Sequence, residues 1–229
     1  DVYKRQSFGP SVGDMENVGP HTALIKIEGT IEAKGAGDAD TVISALTKAY
    51  ADPGSVGLIL QINSPGGSPV QAGIINDEMT RLRKKYPQKP LYVVVNEMCA
   101  SGGYYIAAAA DRIYVNKASI VGSIGVLMDG FGFTGTMEKL GVERRMLTAG
   151  NNKGFMDPFS PQTETQKLYA QDMLNEIHAQ FIDVVRKGRG KRLKETPETF
   201  SGLVWTGAKS VELGLADGFG TVESVARDE

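Results

Sequence analysis

The sequence is poor in the residues that build disulfide frameworks and metal sites. It contains one cysteine and two histidines among 229 residues. A single cysteine excludes an internal disulfide and a multi-cysteine metal site, and two histidines are too few for most zinc sites. We therefore expect neither a metal ion nor another cofactor.

Long apolar runs and an excess of charge are also missing. No apolar run approaches the roughly 18 residues that a membrane-spanning helix needs. The formal net charge is only −2, which gives no electrostatic reason to expect a nucleic-acid partner. The hydrophobic fraction of 41% is that of a globular protein and is sufficient for a substantial core.

The chain divides into a short polar beginning and one long patterned part. Residues 1–20 are polar, contain glycine and show no periodicity, which predicts a disordered or linker segment. From residue 21 to residue 229, apolar β-branched runs alternate with segments of helical periodicity. This alternation predicts an α/β domain with mainly parallel strand pairing. The predicted strands are 23–27, 56–62, 91–95, 113–115 and 143–147, and the predicted helices are 38–51, 69–85, 106–110, 137–140, 162–187 and 206–214.

The most informative stretch is Asn96-Glu-Met-Cys-Ala-Ser-Gly-Gly-Tyr-Tyr105, which lies between an apolar strand pattern and a small-residue helix pattern. Ser101 therefore lies where a strand turns into a helix. A hydroxyl is held on a sharp turn there, and the first helical N–H groups are free to bind an anion. The simpler interpretation is that Ser101 is a helix N-cap.

Two glycine-containing turns could form an oxyanion hole. Gly66 and Gly67 follow the second buried strand, and Gly102 follows Ser101. Acyl transfer needs backbone N–H donors that point at the developing oxyanion, and glycine lets a substrate carbonyl approach the main chain. A Pro-Gly-Gly run alone is usually just a turn.

A serine nucleophile also needs a base. His21 lies at the edge of the unpatterned N-terminal segment and His178 within a long amphipathic helix, so a Ser-His-Asp triad is poorly supported. The alternative base is a lysine. Lys153 differs from the lysines on polar helix faces because it lies in a Gly/Asn loop followed by Phe155 and Met156. Solvation of a loop lysine is the simpler alternative.

Three other side chains could take part in chemistry. Cys99 is a rival nucleophile, although without a nearby histidine it is better explained as a small buried residue. Asp111 and Asp157 could act as acid–base carboxylates. Asp111 is more simply explained by a helix-to-strand turn, and Asp157 by the loop in which it precedes a proline.

Taken together, the motifs resemble peptidase family S49, the signal peptide peptidase A serine peptidases. The resemblance runs from about His21 to the end of the chain. Its ordered motifs are Asn63-Ser-Pro-Gly-Gly67, Cys99-Ala-Ser-Gly-Gly-Tyr-Tyr105, Gly122-Ser-Ile-Gly-Val126, the Lys153 loop, Lys187-Gly-Arg-Gly190 and the tail from Trp205 to Asp217.

The resemblance implies a fold and a set of site residues. The fold would be α/β of the ClpP/crotonase type, a spiral of ββα units with a C-terminal helical extension, and residues 21–229 would be the catalytic domain. Ser101 would be the nucleophile, Lys153 the general base and Ser123 the residue that orients the lysine amine. Backbone N–H groups of Gly67 (or Gly66) and Gly102 would form the oxyanion hole. A turn residue in a Gly-rich stretch is the simpler explanation of Ser123.

The resemblance also implies a substrate, an assembly and a location. The chain has one copy of the motifs and its own lysine, as short family members do. These form homo-oligomeric rings such as an octamer, in which serine and lysine come from neighbouring protomers. They degrade hydrophobic peptides such as cleaved signal peptides. They are held in the bacterial cytoplasmic membrane by a single N-terminal helix, which we expect upstream of Asp1, with the catalytic domain outside the cytoplasm.

Two other functions remain open from the sequence. A crotonase-like acyl-CoA hydratase or isomerase would share the Gly-Gly oxyanion hole, but it acts through carboxylates and needs no serine nucleophile. A catalytically inactive scaffold on the same fold is the second alternative.

Overall fold

The computed structural model describes residues 3–5, 19–35 and 37–229. The predicted N-terminal linker therefore lies largely outside the described residues. Within it, Tyr3–Arg5 forms a short strand that pairs in parallel with the next strand of the chain.

Strands alternate with helices along the described chain, as predicted. The strands are β1 (Tyr3–Arg5), β2 (His21–Glu28), β3 (Ser55–Ser64), β4 (Leu91–Ala100), β5 (Arg112–Val115), β6 (Ile120–Gly122), β7 (Val204–Thr206) and β8 (Gly218–Phe219). The α-helices are α1 (Ala39–Ala51), α2 (Pro69–Lys85), α3 (Gly102–Ala107), α4 (Thr134–Leu140), α5 (Glu164–Arg189), α6 (Gly207–Glu212) and α7 (Val222–Asp228).

One mostly parallel sheet organises these elements. Its strand order is β1-β2-β3-β4-β5-β8, and β6 pairs with both β4 and β7. Every pairing is parallel except that of β6 with β7. The predicted α/β class with parallel pairing is therefore confirmed.

The core follows from the alternation of side chains along each strand. Leu58, Leu60 and Ile62 of β3 belong to the main core, which also contains buried residues of α1, α2 and α3. Ile59 points to the opposite face, where a smaller cluster includes Val222 and Val225 of α7. Strands buried on both faces are typical of parallel sheets covered by helices.

Local signals explain where the first helices begin. The Asp38 carboxylate accepts a hydrogen bond from Thr41 N–H and caps α1. The Ser68 hydroxyl accepts from Gln71 N–H and caps α2, and Pro69 occupies its first turn, where no N–H is needed.

The described chain divides into two compact units. The first unit contains the described residues up to Gly125 together with Phe181–Glu229, and it includes the whole sheet. The second unit is Val126–Gln180. No helix in the described ranges is long and apolar enough to cross a bilayer.

Two predicted elements are wrong. Residues 143–147 form no strand, because they find no pairing partner among the described strands. The helix predicted at 106–110 is α3, which begins at Gly102 and ends at Ala107. The two glycines that open it are poor helix formers, so the sequence pattern predicts a helix that starts too late.

Candidate active site

Ser101 occupies a strained turn between β4 and α3. Its φ is 51° and its ψ is −121°, a backbone conformation that residues with a Cβ rarely adopt. Main-chain hydrogen bonds hold it there, because Ser101 N–H donates to Gly122 O at 2.8 Å and Tyr105 N–H donates to Ser101 O at 3.0 Å. A strained serine on a sharp strand-to-helix turn is how hydrolases expose a nucleophilic hydroxyl.

The Ser101 hydroxyl is not used as a helix cap. It makes no capping hydrogen bond to α3. The N-cap interpretation of Ser101 therefore does not account for its position. Backbone strain of this kind persists where the surrounding structure enforces it, and it concentrates at active sites.

The Gly66–Gly67 turn lies directly against Ser101. A Cβ added to Gly66 would lie 2.7 Å from Ser101 Cβ and 2.8 Å from Gly102 N. A Cβ added to Gly67 would lie 2.1 Å from Ile31 O. Both glycines also have positive φ, 104° and 147°, so glycine is needed at both positions for space and for conformation.

Two backbone N–H groups converge at this turn. A Cβ added to Gly102 would lie 3.3 Å from Gly67 N, so these two residues are neighbours across the turn. No described residue of the first unit accepts a hydrogen bond from either N–H. The N–H of Gly66 is different, because it donates to Ser64 Oγ at 3.1 Å. Of the two alternatives from the sequence, Gly67 is therefore the residue with an N–H available for an oxyanion.

Ser123 lies beside Ser101 at the ends of two adjacent parallel strands. Ala100 of β4 is in register with Gly122 of β6, so the serines that follow them emerge at the same edge of the sheet. Ser123 also has a positive φ of 51°, and its N–H donates to Leu203 O at 2.8 Å. The structure thus brings together the five predicted site residues of the first unit: Gly66, Gly67, Ser101, Gly102 and Ser123.

Lys153 belongs to the second unit. It lies in a turn in which its N–H donates to Gly150 O at 3.1 Å, and its side chain is exposed. Phe155, one of the two apolar residues that follow it, packs edge-on against Tyr169 with ring centroids 5.6 Å apart. Its role as the base stays a prediction.

His21, the candidate base that lies in the first unit, is at the end of the sheet opposite to Ser101. His21 begins β2 and pairs in register with Ser55 at the start of β3, whereas Ser101 follows the far end of β4. An eight-residue strand spans roughly 25 Å. The His21 ring is moreover occupied, since its Nδ1 lies 3.0 Å from Gly19 O and its Nε2 lies 3.3 Å from an Asp52 carboxylate oxygen.

The rival nucleophile and the carboxylates have structural roles. Cys99 is fully buried, and burial raises the pKa of its thiol well above the ordinary value, so it is not a thiolate. Asp111 accepts hydrogen bonds from Arg83 and from Leu91 N–H. Asp157 accepts from the Ser160 hydroxyl, which together with Arg144 lowers the pKa of its carboxyl.

A cavity of about 580 Å³ lies on the face of the sheet opposite to the main core. It is near the point where β4 stops pairing with β5 and begins to pair with β6. Lys26, Gln61, Asn96 and Ser119 are among the residues that line it, and none of the predicted site residues does. The Ser119 hydroxyl donates to Asn96 O at 2.7 Å and is therefore engaged. The cavity holds no nucleophile paired with a base, so the chemistry of the molecule points to Ser101 instead.

Two residues that hold the glycine turn, Ser64 and Ile31, are not among the site residues predicted from the sequence. Ser64 could have been noticed, since it is the serine of the Asn63-Ser-Pro-Gly-Gly67 motif. Ile31 has no signal in the sequence, because its main chain reaches the turn only through the folded contact with Gly66.

The alternating strands and helices and the mostly parallel sheet are those of a ClpP/crotonase-type α/β fold. The sequence model of peptidase family S49 matches residues 83–228, which is more than half of the chain. The chain belongs to peptidase family S49.

Individual relatives agree with this family. The chain is 33% identical to the "Putative signal peptide peptidase SppA" of Enterococcus faecium, over 79% of this chain and 52% of that protein. It is 32% identical to "Protease 4" of Haemophilus influenzae, over 90% of this chain and 34% of that protein.

A relative of higher identity has an unrelated name. The chain is 42% identical to a Brucella abortus protein named "Na(+)/H(+) antiporter NhaA", over 89% of this chain but only 28% of that protein. The chain thus spans about half or less of the length of these three curated relatives. The name of the Brucella protein is not transferred to this chain, because the family match concerns a peptidase domain.

Proposed function

We propose that the protein is a serine endopeptidase that works through a Ser101–Lys153 dyad and an acyl-enzyme. The Ser101 hydroxyl oxygen attacks the scissile carbonyl carbon while the Lys153 amine takes its proton. The carbonyl oxygen becomes an oxyanion that accepts hydrogen bonds from the N–H groups of Gly67 and Gly102. The intermediate then collapses, and the leaving amine receives the proton from Lys153.

The second half of the cycle releases the acyl group. Lys153 takes a proton from water, the resulting hydroxide attacks the ester carbonyl, and Ser101 regains its proton as the acid product leaves. Lys153 can take a proton only as the neutral amine. Ser123, at the same sheet edge as Ser101, would orient this amine through its hydroxyl.

The observation that carries the proposal is the strained turn at Ser101. A positive φ at a non-glycine residue is costly. Here it occurs at a serine whose hydroxyl caps no helix and whose neighbours, Gly67 and Gly102, have available N–H groups. A crotonase-type hydratase would need the N–H groups but not the strained serine. The family match favours the peptidase as well.

Apolar side chains beside the site support hydrophobic peptides as substrates. Val70 and Ile74 are exposed on α2, directly after the glycine turn, and are separated by one helical turn. Leu203 and Val204 are half exposed on the other side, where the Leu203 carbonyl holds Ser123. The name of the Enterococcus relative suggests that cleaved signal peptides are the substrates.

The second unit supports assembly into a homo-oligomer. Between Val126 and Gln180, Ala170 is the one residue that is buried. Phe131 is 82% exposed and Leu147 is 100% exposed. A contiguous unit with so few buried residues leaves apolar surface for a second copy of the chain to cover. We propose that copies form a ring such as an octamer, in which Ser101 and Lys153 come from neighbouring protomers.

The name of the Enterococcus relative also supports a location. Signal peptides are released in the membrane, so a peptidase that degrades them would act at the cytoplasmic membrane. We propose that the full-length protein is attached there by a single N-terminal helix, with its catalytic domain outside the cytoplasm. Fractionation of cells that express the full-length protein tests this, and protease protection of the domain reports the membrane face.

Covalent labelling tests the chemistry directly. A fluorophosphonate reacts with an activated serine, and we expect one adduct per active site, mapped by mass spectrometry to Ser101. Ser101→Ala should lose both the adduct and the turnover of a fluorogenic peptide, whereas Cys99→Ala should keep both. An adduct at another residue, or turnover by a correctly assembled Ser101→Ala variant, would refute the assignment.

A further inference from the structure

Both sides of Gly66 are held by hydrogen bonds. Its N–H donates to Ser64 Oγ at 3.1 Å, and its carbonyl accepts from Ile31 N–H at 2.8 Å. Ile31 is bound a second time, because its carbonyl accepts from Ser68 N–H at 2.7 Å. Ser64 and Ile31 are both fully buried, so water does not compete for these bonds.

These bonds determine where the next N–H points. The carbonyl of Gly66 and the N–H of Gly67 belong to one planar trans peptide and point in opposite directions. Since the carbonyl is bound to Ile31, the Gly67 N–H points away from Ile31. Gly102 lies close to Gly67 N, as its short Cβ distance of 3.3 Å shows.

Without these bonds the peptide plane would be free to turn. Gly66 and Gly67 have no side chains, and glycine adopts both signs of φ with similar ease. A rotation of the Gly66–Gly67 plane would withdraw the N–H from the site and expose a carbonyl oxygen there. An oxyanion hole works because its donors are fixed before the reaction begins.

We infer that Ser64 is a positioning residue of the oxyanion hole. Its hydroxyl engages the Gly66 N–H, fixes the first peptide plane of the turn and leaves the Gly67 N–H as the donor to the substrate oxygen. Ser64 itself is fully buried and its hydroxyl is engaged by the Gly66 N–H, so it would act through the turn rather than on the substrate. The inference rests on the proposed serine peptidase chemistry.

Replacement of Ser64 by alanine tests this role. We expect Ser64→Ala to lower kcat about tenfold and to change KM less than about twofold, because the donor acts in the transition state. Ser55→Ala is the matched control. Ser55 is buried at the other end of the same strand, roughly 30 Å away, and its hydroxyl also bonds to a backbone group, Gly57 O at 3.3 Å.

A pair of inhibitors separates positioning from general loss of structure. A peptide aldehyde forms a hemiacetal whose oxygen occupies the oxyanion hole, whereas the corresponding peptide alcohol cannot. Ser64→Ala should weaken the aldehyde about tenfold and leave the alcohol unchanged. Equal weakening of both ligands, or no weakening of the aldehyde, would overturn the inference.

A second substitution guards against a folding defect. Ser64→Cys keeps a side chain of similar size and offers a much weaker acceptor, so it should weaken the aldehyde in the same direction. If the wild-type enzyme labels at Ser101 but Ser64→Cys binds the aldehyde normally, the inference alone fails. If the wild-type enzyme does not label at Ser101, the proposed function fails and the inference fails with it.

Discussion

At the scale of single residues, the site depends on backbone strain that the fold enforces. Ser101 and Ser123 both have a φ of 51°, and each follows a strand of the same sheet edge. Each turn is fixed by a main-chain hydrogen bond, Ser101 to Gly122 and Ser123 to Leu203. The neighbouring elements therefore stabilise conformations that the two serines would not adopt alone.

A comparison of two variants measures this strain. Ser101→Ala and Ser101→Gly both remove the proposed nucleophile, but only alanine keeps a Cβ at positive φ. Glycine normally destabilises a folded protein by about 0.5–1 kcal/mol relative to alanine. Here we expect Ser101→Gly to be at least as stable as Ser101→Ala, because relief of strain of about 1–3 kcal/mol offsets that cost.

Urea unfolding of both variants gives the comparison. Gly73 in α2 is the matched control site, since a Cβ there would meet only the Tyr105 hydroxyl oxygen, at 4.0 Å. Gly73→Ala should stabilise the protein in the usual way. If Ser101→Gly is less stable than Ser101→Ala by the ordinary glycine penalty, Ser101 is not strained.

The proposed base predicts the outcome of two substitutions. Lys153→Arg should be as inactive as Lys153→Ala, since a guanidinium does not give up its proton. The measurement is kcat/KM for a fluorogenic peptide from neutral pH to about pH 10. An active Lys153→Arg variant would mean that another group is the base.

At the scale of elements, the site exists because β4 changes its neighbour. Its first half pairs with β5 up to Val94, and its last residues, from Met98 to Ala100, pair with β6. Because of this change of partner, β4 extends beyond the end of β5, and Ser101 lies beside Ser123. Every functional residue assigned to the first unit lies within one or a few residues of the carboxyl end of β3, β4 or β6, as is typical of open parallel sheets.

The sequence predicts these elements unevenly. The apolar pattern predicts a strand at 91–95, but β4 continues to Ala100 through the polar residues Asn96 and Glu97. The pattern of apolar residues cannot show that extension, because the extension depends on pairing with β6, which comes later in the chain. The site residues were recognisable from their motifs, whereas the contact of Ile31 with the glycine turn arises only from the fold.

A buried ion pair links the C-terminal elements to the sheet. Arg189, only 1% exposed, donates two hydrogen bonds to the Asp217 carboxylate, each 2.9 Å long. Asp217 also accepts from Arg192 at 3.1 Å and from Ile113 N–H at 2.7 Å. Burial by itself would raise the pKa of Asp217, but the hydrogen bonds and charge of Arg189 outweigh it and hold the pKa below its ordinary value.

Asp217→Asn should therefore destabilise the protein strongly. It leaves the buried Arg189 without its counter-charge, which costs about 3–5 kcal/mol in comparable cases. Because the pKa of Asp217 is lowered by folding, its stabilisation is present above the ordinary pKa near 4 and is lost as the pH falls below it.

Urea unfolding at pH 7 and below pH 4 checks both statements. The difference in the free energy of unfolding between wild type and Asp217→Asn should be large at pH 7 and smaller in acid. Asp228→Asn is the control, because the ion pair of Asp228 with Arg227 is exposed and its loss should have no measurable effect. A difference that does not change with pH would contradict the role of the Asp217 charge.

At the scale of the whole molecule, the two units contrast in how much they bury. The first has a continuous core on one face of the sheet. The second exposes most of its large apolar side chains, among them Leu127, Phe131, Leu140 and Leu147. Its segment 143–147, predicted as a strand, ends in the apolar residues Met146 and Leu147. The segment has no strand partner in the described part of one chain. These features favour a unit that is completed by another copy.

Mixed assemblies test whether two chains share one site. Under the proposed dyad, Ser101→Ala and Lys153→Ala chains should each be inactive. A shared site would still work when its serine comes from the Lys153→Ala chain and its lysine from the Ser101→Ala chain. In a ring assembled at random from equal amounts, each condition is met half of the time, so about a quarter of the sites should be active. If each site uses one chain, every site lacks one residue and mixing restores nothing. The two variants are co-refolded with different affinity tags, rings that carry both tags are isolated, and peptide turnover is compared with that of wild-type rings. No activity in such rings would place serine and lysine in the same protomer.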